Sequence, residues 1–270
     1  MAPTIGLQLY TLHRELSEPG SRRGLLEQVA ALGVESVEPY AVVLPNRTRA
    51  QRLEDARSLK ADIDAAGLAV SSVHNPIPGP ADADWLFEAL AELGAPIAVV
   101  PVPEGLAGFP RDAFADAETP ARYGERLSAL VDVAERHGMR VGYHNHEFEW
   151  APLPDGRLGY DVLWEHTDPR VVAEVDLYWA QGAGQAPADV VAKLGPRVEL
   201  VHVKDGHAPA ERPPQQVAPG SGIVALEDAL VAGTAVTTHI IEADAVAGGG
   251  DVMAYIRDGV AWLRGRQIAT

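Results

Sequence analysis

Residues 121–144 read ARYGERLSALVDVAERHGMRVGYH, and this stretch holds the unit from which the fold follows. Through residue 137 the apolar positions recur at helical spacing with charged residues between them, and Gly138 then closes the helix. Gly is the usual residue just past a helix C-terminus because it adopts positive φ without steric cost. A short extended run, Met139–His144, follows and stops at a polar residue.

The same punctuation recurs along the chain. Gly33 precedes Val34–Glu38, Gly67 precedes Leu68–His74, and Gly94 precedes Ile97–Pro101. Strands are predicted at 4–9, 34–38, 69–74, 97–101, 140–145, 171–176, 198–203 and 238–242. Helical patterns fill the intervals at 22–32, 48–66, 82–93, 121–137, 160–167, 187–194 and 224–232, and one follows at 251–265. Successive strand ends lie 26 to 43 residues apart, as a strand plus a crossover helix requires. The expectation is an α/β protein, one domain over 1–270 folded as a single (β/α)8 barrel. A doubly wound open sheet is the rival, but no G-x-G-x-x-G follows the first strand. Two long loops, 102–119 and 205–222, fall on the C-terminal side of the barrel, where lids or oligomer contacts are expected.

Composition narrows the function. Lys and Arg number 22 against 38 Asp and Glu, a net charge of −16, and no Arg-rich groove is visible; nucleic acid is therefore not an expected partner. No apolar run is long enough to span a membrane, and the start of the chain lacks a signal-peptide pattern, so a cytoplasmic protein is expected. Without cysteine there is no thiolate nucleophile and no Cys-ligated zinc.

Ionisable residues finish most of the expected strands: Glu38, His74, the run His144-Asn145-His146-Glu147-Phe148-Glu149, Asp176, His202-Val203-Lys204-Asp205 and Glu242-Ala243-Asp244. Parallel strands of a barrel converge on one rim, so these residues become neighbours. Carboxylates and imidazoles without thiolates suit a divalent cation: Mn2+ first, then Mg2+, Co2+ or Zn2+. Asp176, His202 and Glu242 supply two oxygens and a nitrogen, and a fourth ligand is expected from the fifth strand. Glu38 and His74 bind substrate hydroxyls or serve as rim hydrogen-bonding groups. Trp179 walls a sugar face or packs under a loop. Lys204-Asp205 reads as an ion pair orienting His202. Gly248-Gly249-Gly250 stands where barrels often bind phosphate, but no Arg or Lys lies beside it in the sequence.

In order and spacing, Ile5–Thr11, Val34–Glu38, Val70–His74, Val141–Glu149, Glu174–Trp179, Val201–Asp205 and Pro219–Ile223 resemble the xylose isomerase-like barrel superfamily, in its sugar phosphate isomerase/epimerase branch, which includes inosose dehydratases. The resemblance implies a metal held by Glu, Asp, His and Glu from strands five to eight. Asp176, His202 and Glu242 match directly. The strand-five Glu does not, so the fourth ligand is assigned to Glu149, then His144 or His146, then Glu147. The implied chemistry is isomerisation or epimerisation of a keto-sugar or related polyol through a metal-stabilised enediolate, with Glu149 and Glu242 as bases. Protonation of a leaving group by His144, His146 or Lys204 would turn the same chemistry into β-elimination, a dehydratase or lyase acting on an inosose or a 3-keto-glycoside. A non-catalytic sugar-binding subunit also fits the pattern. An endonuclease IV-like DNA enzyme shares the superfamily fold but is opposed by the charge. Related barrels are often dimers or tetramers, which allows a homo-oligomer here.

Overall fold

The computed structural model describes residues 2–18 and 20–267. In chain order the strands are β1 (Thr4–Gln8), β2 (Ser36–Glu38), β3 (Ala69–Val70), β4 (Val73–His74), β5 (Ile97–Val100), β6 (Arg140–His144), β7 (Val172–Asp176), β8 (Val198–Val203), β9 (Asp205–Gly206), β10 (Gln216–Val217) and β11 (Thr238–Ile241). Nine of them form one parallel sheet in the order β3-β2-β1-β11-β8-β7-β6-β5-β4, while β9 and β10 make a small antiparallel pair. The two ends of the sheet, β3 and β4, are halves of the expected third strand, parted at Ser71-Ser72. The first half bonds to β2 and the second to β5, and the ring closes where the His74 amide donates to Pro39 O (2.9 Å) and the Ala41 amide to His74 O (2.8 Å). The product is the expected (β/α)8 barrel.

Helices lie close to their predicted positions, with three differences, the first a short helix over His13–Ser17 that the pattern does not predict. The pattern at 121–137 forms two helices, Thr119–Ser128 and Val131–Glu135. Ser128 Oγ donates to Gly124 O (2.7 Å) and accepts the Asp168 amide (2.8 Å), a back-bonding arrangement of the kind that bends helices. A helix not foreseen, Leu177–Gly182, starts directly after β7 because Asp176 Oδ1 accepts the Trp179 amide (2.9 Å) and caps it.

Alternation along the strands sorts the barrel into layers. Ile97, Val99, Val172, Leu200 and Ile240 form a separate apolar cluster inside the barrel, whereas Ala173, Val175, Val201, Val203 and Ile241 belong to the larger core beneath the helices. Two residues beyond the inner apolar positions, with period-two geometry, the chain presents Glu174, His202 and Glu242. Two further along stand Asp176, Lys204 and Asp244. Space for this polar interior comes partly from Gly142, where a Cβ would stand 3.2 Å from Val99 Cγ2 and from Val172 O. Among the described residues no helix is long and apolar enough to cross a membrane.

Candidate metal centre

The polar interior is arranged in two tiers. In the lower tier Glu38 is fully buried and accepts hydrogen bonds from Gln8 Nε2 (2.6 Å) and Ser72 Oγ (2.5 Å). Its Oε1 also lies 2.9 Å from His202 Nε2. Glu174 Oε2 lies 2.5 Å from His74 Nε2 and 3.0 Å from His144 Nδ1. The far sides of the two central rings define the upper tier. His144 Nε2 is 3.7 Å from Asp176 Oδ2, and His202 Nδ1 is 2.6 Å from Glu242 Oε2.

Ligand atoms from His144, Asp176, His202 and Glu242 all lie within 4.8 Å of one another, and these four side chains are buried. Such a set fits a divalent cation on two further observations. Asp176 Oδ2 is buried and makes no well-aligned hydrogen bond, its near charge partner being the Lys204 ammonium at 2.9 Å, so it keeps accepting capacity for a cation. Each imidazole also has a carboxylate on the nitrogen that would face away from the cation, Glu174 for His144 and Glu38 for His202, as metal-bound histidines generally do. A second cluster of the same kind, His74, His144, Glu174 and His202, lies in the lower tier and shares both rings.

Lys204 occupies the cation side of this arrangement. Its ammonium lies 2.6 Å from Glu242 Oε2, 2.9 Å from Asp176 Oδ2 and 3.1 Å from Asp244 Oδ2, and the residue is 1% exposed. The expected Lys204-Asp205 ion pair is not formed. Asp205 instead accepts four backbone amides, from Gly206 (2.8 Å), Gly220 (2.9 Å), Gly222 (2.9 Å) and Val224 (3.0 Å), and so ties down the 205–222 loop. At Gly222 any Cβ would overlap Asp205 Oδ1, which is why the closing turn needs glycine there.

Burial works against every charge in the site, and the neighbours decide which charges persist. It pushes the Glu242 carboxyl up, but Lys204 and His202 outweigh it and hold the group well below the usual carboxylate range. For Glu174 the same contest is won by His202 and His74, again downwards. Burial lowers His202, yet Glu174, Glu242 and Glu38 raise it well above an ordinary imidazole. For His144 burial prevails, with His202 adding to it, and the pKa falls to about 3. His144 is thus neutral and, with Nδ1–H directed at Glu174, turns an Nε2 lone pair toward Asp176. Burial raises Asp176 to about 6 despite Lys204 and His202.

Glu149 is not brought into either cluster. It is fully buried, accepting from Tyr143 Oη (2.7 Å) and the His146 amide (2.9 Å), and burial raises its pKa to about 8. Glu147 pairs with Arg212 from the 205–222 loop, and the Arg212 guanidinium lies 3.8 Å from the centroid of the Trp179 ring. Trp179 is buried, stacked between that loop and His146 (5.9 Å between ring centroids). His146 and His74 reach the cavity above the site, whereas Glu38 lies beneath His202. This cavity, about 320 Å3, is bounded by His74, His144, His146, Lys204, Glu242 and Asp244 on one side and by Tyr10, Tyr40, Pro76, Pro101 and Val102 on the other. The 102–119 loop supplies Val102 to it and packs Phe109 and Phe114 onto Tyr123.

Sequence reasoning missed Glu174, Gln8 and Ser72. A signal for Glu174 was present, since strand alternation places it on the same face as Asp176.

Residues 26–264 match the family model described as xylose isomerase-like TIM barrel. No curated protein matches the chain. Among solved structures, a sugar phosphate isomerase/epimerase from Parabacteroides distasonis superposes with a TM-score of 0.75 at 20% identity, covering 97% of this chain and 93% of that one. The probable 3-DHS dehydratase AsbF from Bacillus anthracis gives 0.67 at 14% identity, covering 97% and 99%. An IOLI protein with a bound zinc atom gives 0.65 at 13%, covering 96% and 95%.

Proposed function

The chain belongs to the xylose isomerase-like TIM barrel family, and from that membership we propose that it is a divalent-cation-dependent isomerase or epimerase of a keto-sugar or related polyol. The carrying observation is the convergence of His144, Asp176, His202 and Glu242 beneath the cavity, with a carboxylate behind each imidazole. These four residues would hold the cation, and two nitrogens with two carboxylates suit Mn2+, Co2+ or Zn2+. When bound, the cation supplies Lewis-acid polarisation of a substrate carbonyl and stabilises the negative charge that develops there.

The residues of the chain supply the rest. Glu242, ionised and bordering the cavity, takes the proton from the carbon beside the carbonyl. Lys204 holds Glu242 and Asp176 in place and keeps Glu242 ionised. His146 borders the cavity, and burial holds its pKa well below that of an ordinary imidazole, so the neutral ring can pass a proton between substrate oxygens. Return of that proton by Glu242 to the neighbouring carbon gives isomerisation, whereas epimerisation needs a proton delivered to the opposite face by a second group, since Glu242 stands on one face only.

A dehydratase is the second reading. Its support is the Lys204 ammonium on the cavity wall, a positive charge beside which a departing hydroxyl is stabilised. Incubation of the cation-loaded protein with keto-sugars in D2O tests both. Deuterium at carbon in a product of unchanged formula supports the first reading, and loss of water supports the second. Glu242→Gln is expected to abolish exchange, and unchanged exchange in that variant removes Glu242 as the base.

A further inference from the structure

We infer that the substrate of this site is an uncharged monosaccharide-sized polyol or keto-sugar carrying neither phosphate nor carboxylate, an inference that rests on the keto-sugar reading above. Charge balance at the cavity is the first ground. Among the described residues that line it, Lys204 is the one Lys or Arg, and its ammonium lies within 3.1 Å of three carboxylates, those of Glu242, Asp176 and Asp244. Lys204 and the two charges of a divalent cation together balance those three carboxylates, which leaves no positive surplus. Phosphate recognition relies on Arg forks or on free backbone amides. The lining holds no Arg, and Asp244 adds a negative charge at its edge.

The barrel's usual place for a phosphate gives the second ground. After β11 the turn Gly248-Gly249-Gly250 has no amide to spare. Gly248 donates to Gln215 Oε1 (3.3 Å), Gly249 to Val246 O (3.1 Å) and Gly250 to Ala247 O (3.2 Å). In the first turn of the helix Val252–Gln267, Asp251 Oδ1 already accepts the amides of Met253 (2.9 Å) and Ala254 (3.2 Å). A carboxylate thus stands where an anionic ligand would sit. Arg14 borders this turn, but Glu15 accompanies it.

The opposite wall is built for carbon-bound hydrogens. Tyr10 and Tyr40 meet edge to face at 5.3 Å, and Pro76, Pro101 and Val102 continue the surface. Rings of this kind cover the apolar face of a sugar. At about 320 Å3 the cavity is at the small end of ligand pockets.

Equilibrium binding to the Zn2+-loaded full chain, read by saturation-transfer NMR, separates this inference from the proposed reaction because it needs no turnover. The probes are fructose, tagatose and a keto-inositol, beside fructose 6-phosphate and tagatose 6-phosphate. At least one free ketose is expected to bind, with its phosphate ester weaker by about tenfold or more. An ester that binds as well as its free sugar overturns the inference, and so does failure of all three neutral probes. A free ketose that binds without carbon–deuterium exchange upholds the inference while counting against the isomerase reading.

Discussion

Glu174 Oε2 stands 3.0 Å from Nδ1 of His144, on the side of the ring away from Asp176. The contact fixes which nitrogen carries the proton and therefore which one is free to meet a cation. Glu174 lies in the strand interior, fully buried, and also touches His74 and His202. Replacing it with glutamine keeps the volume but removes the charge that orients three imidazoles. Glu174→Gln is expected to weaken cation affinity by about 10–100-fold, the range found for residues that support metal-bound histidines. Competition with a fluorescent chelator measures this, and an unchanged affinity would show that Glu174 does not organise the site.

Lys204 shares Asp176 and Glu242 with the proposed cation. In Lys204→Met these two buried carboxylates lose their counter-charge, which in buried pairs costs about 3–5 kcal/mol. The cation-free variant should therefore melt well below the wild type, and Mn2+ should raise its Tm more than it raises that of the wild type. Equal shifts in both proteins would mean that Lys204 and the cation act on different groups.

Stability should also depend on pH through Glu149. Burial raises its pKa to about 8 in the folded protein, above about 4.3 for a free side chain. Between those values the folded state binds more protons than the unfolded one, so this group's contribution is fully present below the unfolded pKa and is lost as pH rises toward 8. In Glu149→Gln the amide keeps both partners, accepting from the His146 amide and donating to Tyr143 Oη, without a titrating group. The variant should lose less stability between pH 5 and about pH 8 than the wild type, as read by urea denaturation at a series of pH values. Parallel curves would assign the carboxyl an ordinary pKa.

Much of the barrel was legible because glycine follows several of its helices and most strands stop at a polar residue. The break at Ser71-Ser72 was not, since 69–74 reads as one continuous strand and its parting depends on two neighbours that pull its halves to different sides. The site was legible as a ring of strand-end residues. Asp176, His202 and Glu242 stand at one point because their strands, β7, β8 and β11, are adjacent in the sheet. The fourth position was harder. His144 ends β6 while Glu147 and Glu149 come after it, and the turn Phe148–Trp150 directs Glu149 to Tyr143 and the His146 amide. Likewise Lys204, between β8 and β9, and Asp205, which opens β9, are chain neighbours in different surroundings, one among the carboxylates and the other among the loop amides.

His144, Asp176, His202 and Glu242 are proposed to hold a divalent cation, with Glu149 outside the set. Metal content by plasma mass spectrometry tests this most directly, on full-length protein prepared without a chelator or a His tag, reloaded with Mn2+ and desalted. The wild type and Glu149→Gln should each retain about one ion per chain, while His144→Ala and Asp176→Ala retain less than about a tenth of that. Equal retention in Asp176→Ala and the wild type, or loss in Glu149→Gln with retention in His144→Ala, would contradict the account.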